Sequence, residues 1–352
     1  MPGRPDRLPR AALLGALLGA LACCGGDDRS VAAPADAAAQ VAEGWKLLEG
    51  HGDRGGGPAL ALFVAARAVA PDEPLALAGE GIARTMGGDA AGGEPLLRAA
   101  LAHEERLAPR HRLALTRYAL ANLLLDAGRG ADAEPLFRAA AAAATTGAGR
   151  SAALVPVARI ALDGGRLDDA SLALDEALAA SPENEQAHYV RSALLRRRGA
   201  TAEADHELRL HTLLKSLDEA GRRTPLDVEE VLRIRADLVA AWPECEVLRL
   251  ARIRFLIESG RFAPAQADAA ALLESAGPSA PLAWLLARAH AGSGDLAAAG
   301  RARSLALRLD PGAPAELEEQ VIADWRRGGA GFSEEAAAKL REQWRRPAPK
   351  RE

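Results

Sequence analysis

The chain has 352 residues, 49% of them hydrophobic but only 3% aromatic, with 34 Gly and 21 Pro. Few aromatic residues and many alanines suit closely packed helices better than a β-sandwich. The formal charge is −4 with both signs mixed along the chain, so the basic footprint of a nucleic-acid binder is missing and no nucleic-acid partner is expected.

The first element is a targeting segment. Arg4, Arg7 and Arg10 precede the apolar run AALLGALLGALA at residues 11–22, and Cys23 follows directly. Charged, apolar and small-residue parts in that order read as a secretory signal. Twelve residues reach roughly 18 Å as a helix, short of a bilayer core of about 30 Å, so residues 1–22 are expected to be cleaved. The sequence GALAC at 19–23 resembles the lipobox of bacterial lipoproteins. That resemblance implies lipid attachment at Cys23, export, and membrane anchoring in the bacterial envelope; the alternative is an ordinary secretory peptide cut at Ala22. Residues 23–35 then read as a flexible tether. Beyond Cys23 and Cys24 only Cys245 remains, so no disulfide framework forms in the body.

From residue 36 the chain repeats. Gly165 with Ala170 recurs as Gly199 with Ala204, and Gly260 with Ala265 recurs as Gly294 with Ala299, each 34 residues apart; Gly128 with Ala133 precedes Gly165 by 37. A fixed period of this length marks stacked repeats. The windows are 74–107, 114–147, 151–184, 185–218, 246–279 and 280–313, after a degenerate unit at 36–73. Counting from each start, position 8 reads Gly81, Ala121, Ala158, Ser192, Ile253 and Ala287, and position 20 reads Gly93, Ala133, Ala170, Ala204, Ala265 and Ala299. Pro71, Pro182 and Pro311 stand two residues before the ends of their windows, position 32 of a 34-residue unit.

This pattern resembles the tetratricopeptide repeat, a helix-turn-helix unit of 34 residues. The fold expected is all-α, a right-handed α-solenoid of stacked TPR-like repeats over 36–313. Small residues are needed where two antiparallel helices approach most closely, and a proline stops the second helix of a unit. Ile253, with His211 and Leu272 at position 27, breaks the pattern; residues 219–245 are irregular and hold one helix of a half-unit, 226–241, ending before Pro243. Gly50 to Gly57 reads as a loose connector. Residues 314–352 are expected to form capping helices and a basic tail, with Ser333 as an N-cap ahead of Glu334 and Glu335.

Motifs for chemistry are missing: no Gly-x-x-x-x-Gly-Lys-Ser/Thr, no Gly-x-Ser-x-Gly and no His-Glu-x-x-His occurs. His103 and His111 stand eight apart across Pro109 and are expected at solvated helix ends. No cofactor, metal or catalytic residue is expected. The resemblance implies instead that positions 5 and 9 of the first helices line a groove for partner segments. Those positions carry Tyr118, Tyr189 and Trp284, and Asn122, Arg159, Arg254 and Arg288. Aromatic residues and Arg dominate binding hot spots. The reading is a non-catalytic scaffold binding protein or peptide segments at the bacterial envelope, attached to the membrane by its lipid. The rival is an accessory or catalytic subunit in glycan or peptidoglycan processing, built from scattered acids and Arg.

Overall fold

A computed structural model describes residues 37–51 and 56–344. They form 17 α-helices and, among the described residues, no strand. The cleavage site, Cys23, the tether, residues 52–55 of the connector and the tail from Arg345 lie outside the described residues, while the rest of the 50–57 connector belongs to the flanking helices. The fold is an all-α solenoid of helix-turn-helix repeats, and it divides into two units, Met1–His211 and Thr212–Glu352.

The first unit runs α1 (Ala37–His51), α2 (Gly56–Val69), α3 (Pro74–Met86), α4 (Ala90–Leu101), α5 (Arg110–Asp126), α6 (Gly130–Ala143), α7 (Gly147–Asp163), α8 (Leu167–Ala180) and α9 (Glu185–Arg197); the boundary falls inside α10 (Thr201–Gly221). The second unit continues with α11 (Val228–Ala241), α12 (Glu246–Glu258), α13 (Phe262–Ala276), α14 (Ala280–Gly292), α15 (Leu296–Leu309), α16 (Glu316–Gly328) and α17 (Glu334–Trp344). Helices α11, α16 and α17 stand outside the 34-residue pairing.

Five of the pairs are closed by the same turn. Gly128, Gly165, Gly199, Gly260 and Gly294 have φ between +74° and +85°, a region open to glycine at no steric cost. The amide one residue later turns back to the carbonyl five residues earlier: Arg129 to Leu124 at 2.8 Å, Arg166 to Ala161 at 2.9 Å, Ala200 to Leu195 at 3.0 Å. This satisfies carbonyls that the end of a helix leaves open. The following helices start on side-chain caps where the sequence offers them. Asn184 accepts from the Ala187 amide, Thr146 from that of Gly149, and Ser333 from that of Ala336.

Helix packing explains the small residues. Ala121, Ala158 and Ala287 on first helices, and Ala133, Ala170, Ala204, Ala265 and Ala299 on second helices, are all fully buried. In the first pair the fully buried Phe63 ring sits between Gly44 and Gly79: a Cβ on those residues would come within 2.8 Å and 2.2 Å of it. Ile253 and Leu272, the bulky exceptions, are buried too.

Ion pairs tie three of these turns to the preceding second helix. Arg129 reaches Glu94 at 3.2 Å, Arg166 reaches Glu134 at 2.6 Å, and Arg198 reaches Asp168 at 2.6 Å. Hydrogen bonding from Arg98 first, and from Arg166 in the second case, holds the Glu94 and Glu134 carboxyls below their ordinary range.

Candidate functional site

Helix α5 starts after Pro109, which takes the position before its first residue, and presents Tyr118 and Asn122 one turn apart. Tyr118 is completely buried, and its ring meets Phe137 of α6 edge-on at 5.5 Å. Burial pushes the phenol up to about 12, opposed by a hydrogen bond with Asn122 and by the charge of Arg159. Tyr118 is therefore a packing residue holding the half-buried Asn122, not the exposed ring expected of a groove. Arg159, on α7, is half-buried and makes no ion pair among the described residues.

Tyr189 occupies the same repeat position on α9 and has the opposite fate, being 49% exposed. Its ring is tilted against His211 with centroids 5.2 Å apart, and His211 Nδ1 donates to the Glu185 carbonyl at 2.9 Å. His211 stands where the α5/α6 pair has Ala140, so the larger side chain occupies the space into which the Tyr189 ring would otherwise sink. A histidine at a position that the preceding windows fill with Ala100, Ala140 and Ala177 was the sequence signal for this stack.

In the second unit Arg254 is exposed and free of an ion pair among the described residues. Trp284 and Arg288 are committed inward. Trp284 is 5% exposed. Arg288 donates through Nε to Asp324 at 2.7 Å, and Arg327 Nη1 stands 3.1 Å from the other oxygen of the same carboxylate. Two rings and one guanidinium expected in the groove thus belong to the packing between helices. The physical reason is that a position facing the neighbouring repeat is covered whenever that repeat supplies a matching side chain.

Two acid and Arg clusters are of this inward kind. Glu80 is bracketed by Arg67 and Arg84, each at 2.7 Å, and Asp324 by Arg288 and Arg327; both carboxylates are almost fully buried. Carboxylates so covered are structural ion pairs without access to a substrate. His111 also departs from expectation: it is half-buried and lies 3.0 Å from Glu49, which also accepts from Arg112 at 2.9 Å, with Arg112 over the Trp45 ring. His103 is exposed, as expected of a solvated helix end.

A cleft between the starts of α5 and α7, lined by His111, Leu115, Thr145 and Thr146 among others, has a volume of about 10 Å³, room for about one water. Among the described residues no group of three or more His, Cys, Asp or Glu is placed to hold a metal ion. No described helix is long and apolar enough to cross a membrane. Of the residues expected in a groove, Tyr189 and Arg254 are thus exposed and Asn122 and Arg159 half-buried.

No family model matches the chain, and no curated protein matches it. Among solved structures it is similar to a tetratricopeptide repeat protein from Parabacteroides merdae, at 18% identity and a TM-score of 0.34, over 72% of this chain and 98% of that one. It is also similar to pilF of Pseudomonas aeruginosa, at 17% identity and a TM-score of 0.31, over 71% of this chain and 96% of that one. A third is the human IFIT1 dimer with m7Gppp-AAAA, at 20% identity and a TM-score of 0.34, over 88% of this chain and 65% of that one. Similarity at this level carries no argument about ligands or partners.

Proposed function

We propose that the chain is a non-catalytic protein-interaction scaffold that takes segments of partner proteins along the first helices of its repeats. The observation that carries this reading is the exposed Tyr189 ring, stacked on His211, on the same run of helices as Arg159, which has no ion pair among the described residues. An open aromatic ring and a cation on successive first helices suit peptide recognition. The mechanism is equilibrium binding to a preformed surface. Stacked repeats suit that task, since each unit adds surface without needing distant chain segments.

The N-terminal sequence supports the rest of the proposal, in which a lipid on Cys23 holds the scaffold at the bacterial envelope and confines binding to a membrane surface. Two experiments test the two parts separately. Replacing Tyr189 and Arg159 by Ala together should abolish in-cell crosslinking to partners while helicity is kept; unchanged crosslinking rejects this surface. Palmitate labelling should vanish in Cys23→Ser, and an unlabelled wild-type chain rejects the anchor.

A further inference from the structure

Among its described residues the first unit has six half-buried arginines. Arg67, Arg84, Arg112, Arg117 and Arg191 each meet a carboxylate, at Glu80, Glu80, Glu49, Glu104 and Asp175 in turn. Arg159 is the sixth, and it meets none among the described residues. Its own helix does not supply one: Asp163, one turn on, faces Arg197 of α9 at 4.0 Å. A guanidinium drawn partly out of water without an anion loses hydration and gains nothing in return, and elsewhere in this unit the chain has provided the anion.

We infer that the carboxylate missing from Arg159 is supplied by the bound segment, as an Asp or Glu side chain, and that the scaffold selects acidic segments at this point. This deepens the proposed function and rests on it. The source is a side chain, since first helices continue on both sides of Arg159. Helix α5 lies before it with Asn122, and α9 after it with the open Tyr189 ring. A segment running along these helices passes Arg159 in mid-chain and sets its next residues on the Tyr189–His211 rings. Planar, bidentate pairing of guanidinium with carboxylate gives the contact direction as well as strength.

The test uses the full chain and fluorescein-labelled pools of extended peptides with randomised flanks and a central Glu, Gln or Lys, read by fluorescence anisotropy. The Glu pool should bind about tenfold more tightly than the Gln pool, as expected for a charge-assisted contact. Arg159→Gln should remove that difference, and Arg159→Glu should shift preference to the Lys pool, a gain that misfolding does not produce. Amidating the peptide C-termini should change nothing. Equal binding of the Glu and Gln pools, with both lost in Tyr189→Ala, overturns the acidic selection while leaving the groove standing. Binding of no pool overturns both. Loss of preference on amidation, or Arg159-dependent binding of a labelled RNA oligomer instead of peptide, also overturns it.

Discussion

Gly292 and Gly328 bring α14 and α16 into backbone contact: a Cβ on Gly328 would lie 1.7 Å from the Gly292 carbonyl oxygen. The obstacle is main chain, which no rotamer change relieves. Gly292 is confined from its other side as well, since its own Cβ would meet the Phe262 ring at 2.2 Å. Gly328→Ala should therefore separate the helices and cost ~3 kcal/mol, the upper part of the range for overpacking. Gly165→Ala is the control. That site is open, and only its φ of +74° is strained, so the cost should be about 1–2 kcal/mol. Urea unfolding of the two variants measures the order.

The Arg288–Asp324 pair predicts a second large effect. Asp324 is 1% exposed between two guanidinium groups. Asp324→Ala leaves Arg288 partly buried without an anion and should cost about 3–5 kcal/mol. Replacing both, Arg288→Met with Asp324→Leu, should cost much less, since the unpaired charge is removed along with its partner. A double-mutant cycle by thermal unfolding reads the difference, and equal losses in single and double variants would remove the ion pair as the cause.

Acid should weaken the links between repeats. The Glu94 and Glu134 carboxyls titrate below their ordinary value in the folded chain. Their stabilising contribution is present above the unfolded carboxylate range and is lost as the pH falls through the depressed folded values. The melting temperature should drop between neutral pH and about pH 3, and drop less in Glu94→Gln with Glu134→Gln. These pairs are partly solvated, so added salt should shrink the difference at neutral pH.

The buried phenol makes a spectroscopic prediction. With Tyr189→Phe, Tyr118 is the remaining tyrosine, and its phenolate absorbance should reach its midpoint only at about pH 12. The sign follows from burial of the neutral form: its contribution is whole below the unfolded value near 10 and is lost as the pH climbs from there to about 12. Ionisation near pH 10 with helicity intact would place Tyr118 in solvent after all.

The repeat itself was legible because its signals are local. A glycine that must adopt positive φ, an alanine where two helices touch and a proline where the chain must leave a helix are read within one window, and Gly165, Ala170 and Pro182 carry all three. Which side chains stay open was not legible in the same way. Tyr118 and Tyr189 share a repeat position, yet one is sealed against Phe137 and the other held out against His211.

Arg159 and Arg288 also share a position. Arg288 is consumed by Asp324, 36 residues on and so out of step with the 34-residue period, whereas Arg159 meets no carboxylate among the described residues. The sequence by itself determined the helix pairs and their stacking, since steric fit between adjacent backbones depends on residue size at fixed spacings. Only the tertiary structure decided which rings and charges remain available. Burial and pairing depend on the one side chain that the neighbouring repeat happens to place opposite, and no periodicity specifies it.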